Sequence, residues 1–154
     1  YLAQSSIGQY EVAATPLQML MVASAIANNG VLMKPHVVKS VTGSDLKVIQ
    51  TIQPEQAGRP ISEGAAKQLK QMMENVVSDG TGSPAQVSGM TIGGKTGTAQ
   101  SDPNRPPYAW FVGYASEPHV AVVAFVQSTS VERNDISGGK VAAPVFKAVV
   151  ESLR

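Results

Sequence analysis

Apolar positions fall into three textures along the chain. From Thr15 to Gly30 almost every residue is apolar, TPLQMLMVASAIANNG. Thr15 suits an N-cap, Pro16 the first helical position and Asn29-Gly30 a C-terminal stop, which predicts a helix over 17–28. Being apolar on nearly every face, that helix is predicted to be buried. The second texture starts at Ser62, a predicted N-cap. Ala65, Ala66, Leu69, Met72, Met73, Val76 and Val77 recur at helical spacing, with Lys67, Lys70, Gln71 and Glu74 on the other face. This amphipathic helix runs into the loop Asp79-Gly80-Thr81-Gly82-Ser83-Pro84. Between the two helices, residues 36–41 and 48–52 read as short strands of a hairpin around Thr42-Gly43-Ser44-Asp45.

The third texture is that of strands. Residues 90–99, 108–115 and 120–126 are predicted strands, the last two antiparallel across the turn Ser116-Glu117-Pro118-His119. The connection 100–107 carries SDPNRPP, which reads as a rim loop. Finally Gly138-Gly139 precedes a predicted helix over 141–153, whose apolar face is Val145, Phe146, Val149, Val150 and Leu153, with Pro144 tolerated in the first turn. Helices, then antiparallel strands, then a terminal helix predict an α+β fold with an antiparallel sheet packed between helices.

Composition narrows the functions. The 154 residues match one domain, and 43% hydrophobic content supports a core. A net charge of +1 without a long run of one sign gives no footprint for nucleic acid. The absence of Cys excludes a Cys nucleophile and thiolate metal sites, and His36 and His119 lack ligand-like spacing, so no metal and no cofactor are expected. Both histidines read as bystanders at strand starts, and Met19, Met21, Met72 and Met73 as core packing. The first residues, Tyr1-Leu2-Ala3, carry no initiator Met, and the sequence is expected to be a piece of a longer one.

The candidate chemistry lies in GGKTGTAQ, residues 93–100. On a strand Thr96 and Thr98 share one face and Lys95 points to the other, unless edge twist brings it round. Two hydroxyls on one face suit a carboxylate. Gly97 between them lets a ligand backbone approach and pair with the edge as an added strand. A Lys on an edge strand also guards against aggregation, and Thr is common in strands, so these residues alone leave a purely structural role open. Trp110 reads as a buried aromatic rather than a substrate contact, and Arg105 and Tyr108 as solvated loop residues.

KTG at 95–97 is a motif shared by serine β-lactamases and penicillin-binding proteins. Here it continues as KTGTAQ and is followed by AWFVGYAS at 109–116. Upstream stands GQYEVAATPLQMLMVASAIANNGVLMKPHVV at 8–38, and GGKVAAPVFKAVVE at 138–151 closes the chain. Taken together, in this order, these segments resemble the transpeptidase domain of penicillin-binding proteins. The wording is similar to the class B branch and, within it, to the penicillin-binding protein A type of actinobacteria. The resemblance implies a DD-transpeptidase that cross-links peptidoglycan through a serine acyl-enzyme and is inhibited by β-lactams. It implies roles for four residues: Lys95 supplies charge and a hydrogen bond, Thr96 and Thr98 bind the carboxylate of a D-Ala-D-Ala stem peptide or a β-lactam, and the Thr98 N–H serves an oxyanion hole. Gly97, with Gly94, would keep the strand accessible. Two alternatives keep the same strand: a β-lactam sensor or serine β-lactamase, and a non-catalytic scaffold. TPLQ and the helix-hairpin-helix segment favour the transpeptidase.

The family's nucleophile belongs to S-x-x-K, ahead of KTG, with S-x-N between them. Ser44-Asp45-Leu46-Lys47 falls in the hairpin turn, Ser137-Gly138-Gly139-Lys140 lies beyond KTG where the Gly pair prevents a regular helical turn, and S-x-N is absent. The chain is therefore expected to be the C-terminal part of the domain, inactive alone, and partnered by the complementary N-terminal part as a second chain. In the family two strands come from that part, so the strand over 120–126 is expected to keep an unpaired edge. A membrane anchor upstream and a catalytic domain outside the cell membrane are further expectations from the resemblance.

Overall fold

The computed structural model describes residues 2–9, 12–100 and 104–154. A single short turn, α1 (Leu2–Ser5), precedes α2 (Pro16–Ala27). Helix α2 begins in a reciprocal capping box: the Gln18 N–H donates to Thr15 Oγ1, and the Thr15 N–H donates to Gln18 Oε1. It ends where Asn29 and Gly30 both take positive φ. Two ribbons follow. Strand β1 (Leu32–Met33) pairs with β4 (Gln56–Gly58), and β2 (Ser40–Thr42) pairs with β3 (Val48–Thr51), both antiparallel. The second ribbon is the predicted hairpin, entered later than expected; the first was not predicted, because two- and three-residue strands carry no periodicity.

Helix α3 (Glu63–Asp79) is capped by Ser62, whose Oγ accepts the Ala65 N–H. Strands β5 (Ile92–Ala99), β6 (Tyr108–Ala115) and β7 (Val120–Val126) form the main sheet in that order, antiparallel throughout. A π-helical turn, Gly138–Ala142, leads into α4 (Ala143–Ser152). The rim loop is described only in part, since residues 101–103 lie outside the described residues.

The sheet lies between helices, as expected of the α+β class. On one face Phe111, Ala109 and Ala124 pack with Phe146 and Val150 of α4, and the Phe111 and Phe146 rings stand 4.7 Å apart. On the other face Tyr114 packs with Ile26 of α2 and Met73 of α3. Several apolar residues predicted to be inside are not. Only Ala23, Ala25 and Ile26 of α2 are buried, while Leu17 and Val22 are half exposed. In α4, Phe146 and Val150 are buried, whereas Val145, Val149 and Leu153 are exposed. Met72 is 61% exposed, because the stripe of α3 that meets the sheet runs through Ala66, Met73 and Val77, and Met72 stands a full 100° round from Met73. Lys70 and Glu74, assigned to the solvent face, instead flank that stripe and bond inward, to Asn29 and Tyr114.

Candidate functional site at the open edge of the sheet

Strand β5 carries Lys95, Thr96, Gly97 and Thr98 opposite Val112, Phe111, Trp110 and Ala109 of β6. Its other side has no strand neighbour among the described residues. Successive residues of an antiparallel edge strand aim their backbone groups alternately at the partner and away from it. The Ser116 N–H donates to the Thr91 carbonyl, which assigns the odd-numbered residues to the pairing with β6. Two side chains mark the even ones as outward. Lys95 Nζ donates to the Thr96 carbonyl at 2.9 Å, and Gln9 Nε2 donates to the Thr98 carbonyl at 3.2 Å. Since the N–H and C=O of one strand residue point the same way, the N–H groups of Thr96 and Thr98 also face the open edge.

The hydroxyls of Thr96 and Thr98 lie on the sheet face that α4 covers. Thr96 Oγ1 is 2.9 Å from Thr81 Oγ1, and Thr98 Oγ1 accepts the Gly138 N–H at 3.3 Å. Alternation puts the Lys95 Cβ on the opposite face, yet its ammonium curls over the edge to lie 3.5 Å from Thr96 Oγ1. The charge therefore meets the Thr96 hydroxyl on the edge strand that also carries the Thr98 hydroxyl. Lys95 forms no ion pair among the described residues.

The Thr98 hydroxyl is held by the turn before α4, which approaches the strand closely. A Cβ on Gly138 would stand 2.2 Å from the Trp110 carbonyl oxygen and 2.7 Å from the Gly97 nitrogen, so only Gly fits there. The Gly pair, read in the sequence as a break in the helix, thus opens it as a wide π turn pressed on the strand. Ser137 caps that turn by accepting the Lys140 N–H, and Lys140 Nζ pairs with Asp135 at 2.6 Å. The hydrogen bond and charge of Lys140 hold the Asp135 carboxyl below its ordinary range. The Lys140 ammonium is therefore held on Asp135, and the bond that Ser137 Oγ accepts comes from the Lys140 backbone N–H and not from that ammonium, so the pair is not set as nucleophile and base. Ser44 lies in the exposed hairpin turn, where Lys47 pairs with Asp45, as the sequence suggested.

Other candidates take ordinary places. Trp110 is half-buried rather than buried, its ring 4.3 Å from that of Phe125, and Tyr108 meets Phe125 edge-on at 5.5 Å. His36, Arg105 and His119 are exposed. Gly94 is a packing residue rather than an opening for ligand, because a Cβ there would stand 2.4 Å from Phe111 Cζ. Sequence reasoning missed Thr81 and Gln9 at the site. Each joins the strand through a side-chain bond across 15 and 89 residues, a separation that leaves no trace in local spacing.

The chain is similar to known proteins over nearly its whole length. Residues 1–151 match the penicillin binding protein transpeptidase domain. The chain is 41% identical to the peptidoglycan D,D-transpeptidase PbpA of Mycolicibacterium smegmatis over 97% of its own length and 31% of that protein's. It is 38% identical to the corresponding Mycobacterium tuberculosis protein over 98% of its length, again 31% of the relative. The chain thus spans about a third of the relatives it matches. Among solved structures, penicillin-binding protein A of M. tuberculosis superposes with a TM-score of 0.84 at 35% identity, covering 99% of this chain and 37% of that one. The imipenem acyl-enzyme of the same protein gives 0.82 at 34%, covering 99% and 34%. No helix among the described residues is long and apolar enough to cross a membrane. By sequence and by fold, the chain belongs to the penicillin-binding protein transpeptidase domain family.

Proposed function

We propose that this chain supplies the substrate-binding strand of a peptidoglycan DD-transpeptidase that works through a serine acyl-enzyme and is inhibited by β-lactams. The observation that carries the reading is that the Lys95 ammonium meets the Thr96 hydroxyl on a strand that also carries the Thr98 hydroxyl, and whose outer edge has no strand neighbour among the described residues. A cation and two hydroxyls suit the terminal carboxylate of a D-Ala-D-Ala stem peptide or the equivalent carboxylate of a β-lactam. Outward backbone groups suit a donor peptide laid along β5 as an added strand. The outward Thr98 N–H is one oxyanion donor. Preorganised donors of this kind typically contribute about 10²–10³ in rate.

The nucleophilic Ser lies on residues outside this chain. In both S-x-x-K matches the Lys ammonium pairs with an Asp, Lys47 with Asp45 and Lys140 with Asp135, and the relatives are about three times as long as the matched segment. The chain is accordingly the C-terminal part of the transpeptidase domain, inactive alone, with the N-terminal part as its structural partner and a membrane anchor upstream. The catalytic domain faces the outside of the cell membrane. Nothing in this role calls on a metal, a cofactor or nucleic acid.

Thr98→Val in the intact protein tests the assignment. Loss of a hydroxyl that donates to a carboxylate typically costs about 1.5–3 kcal/mol, so acylation by a fluorescent penicillin is expected to slow by roughly 10- to 100-fold. Unchanged acylation would refute the carboxylate role.

A further inference from the structure

Thr81 stands at the exit of α3, outside the strand. The loop there is fixed by backbone bonds from the Gly82 N–H to the Val76 carbonyl and from the Ser83 N–H to the Gly80 carbonyl. It is also held by the π turn, for a Cβ on Gly139 would stand 2.4 Å from the Thr81 carbonyl oxygen. From this seat Thr81 Oγ1 lies 2.9 Å from Thr96 Oγ1.

A threonine hydroxyl has one proton to donate and two lone pairs to accept with. The Lys95 ammonium can only donate, and at 3.5 Å it faces Thr96 Oγ1 as a weak donor. If Thr81 also donates to Thr96, both lone pairs of Thr96 are engaged and its single proton turns to the open edge. The reverse direction would spend that proton on Thr81. An anion at the edge selects the first arrangement, because a chain from Thr81 to Thr96 to carboxylate is polarised in one sense throughout.

We propose that Thr81 is a positioning residue that directs the Thr96 hydroxyl proton toward the ligand carboxylate and so adds to the preference for an anionic ligand. The inference rests on the reading of Thr96 as a carboxylate contact. It requires no contact between Thr81 and the ligand.

The test compares acylation of the intact protein by a carboxylate-bearing β-lactam and by its methyl ester. Thr81→Val removes the hydroxyl at nearly constant volume. It is expected to slow acylation by the free acid about tenfold, the size of one ordinary hydrogen bond, and by the ester less than about twofold. Thr81→Ser is expected to restore both rates, and Thr81→Ala covers the case in which Val perturbs the loop. In the Thr96→Val background, Thr81→Val should add nothing further. Equal losses on acid and ester would assign Thr81 a structural role and overturn the proposal. So would an unchanged acid rate in Thr81→Val beside a lowered one in Thr96→Val, which leaves the reading of Thr96 standing. An acid-to-ester ratio unchanged in Thr96→Val would remove that reading and the proposal together.

Discussion

Strand β5 closes one side of the sheet with Lys95, Thr96 and Thr98 among glycines, and strand β7 closes the other with the uninterrupted apolar run VAVVAFV. Neither has a second strand neighbour among the described residues. A charge and small polar side chains are what keep an edge from pairing permanently with another strand, while leaving its backbone open to a transient ligand. Strand β7 has no such protection. Val120, Val122 and Val126 pack on the core beside α4, and Ala121 packs on the core beside α2 and α3. Apolar side chains on both faces belong to an interior strand, not to an edge. The difference separates an edge suited to the transient pairing that the proposed function requires from an edge whose pattern asks for a further strand.

The largest expected effect concerns β7. Produced alone, the chain is expected to show no cooperative thermal transition, and to gain one when the preceding part of the domain is added as a separate polypeptide. Calorimetry and sedimentation read both states. A soluble monomer of residues 1–154 that unfolds cooperatively would break the comparison, since β7 would then be a tolerated edge.

At β5 the strongest expected lesion is Gly138→Ala in the intact protein. The added methyl meets backbone atoms of Trp110 and Gly97 that cannot step aside. Overpacking of this kind typically costs ~1–3 kcal/mol and lifts the turn off the strand. The thermal midpoint should fall by several degrees, and β-lactam acylation by more than the stability loss explains, because the Thr98 hydroxyl loses the Gly138 N–H. Wild-type acylation at a lowered midpoint would show that the turn supports the fold but not the site.

Helix α2 gives a smaller test of the β7 side. Leu17, half exposed in this chain, is expected to be covered in the intact protein, where Leu17→Ser should cost ~1–2 kcal/mol. A midpoint unchanged on substitution would mean that the apolar face of α2 stays in water.

The same contrast explains what could be read in the sequence. Thr15-Pro16, Ser62 and the runs of β6 and β7 announced their elements, because caps, proline and β-branched residues act within a few positions of themselves. Lys95, Thr96, Gly97 and Thr98 could be named as a unit because they are contiguous. What surrounds them could not, since Thr81, Gln9 and Gly138 reach the strand from distant parts of the chain. Burial was over-assigned at Leu17, Val22, Val145 and Val149 for a related reason. An apolar residue states that it wants cover, and among the described residues nothing buries these four side chains.

The smallest expected effect concerns how β5 is held from behind. Tyr114, near the end of β6, donates its hydroxyl to Glu74 Oε1 at 3.0 Å and so ties the sheet to α3. Burial first, then the hydrogen bond and charge of Glu74, push the phenol above its ordinary range. The folded state therefore holds this proton more tightly than the unfolded one. Its contribution is complete below about pH 10, the ordinary phenol value, and is lost as pH rises toward the folded value. Tyr114→Phe in the intact protein should cost ~0.5–1.5 kcal/mol near neutrality, the net worth of one hydrogen bond. Above pH 10 the wild type alone loses stability from this group, so the gap between the two midpoints should shrink. Parallel declines from pH 8 to 11 would place the anchoring of the sheet on apolar packing with Met73 and Ile26 rather than on the phenol.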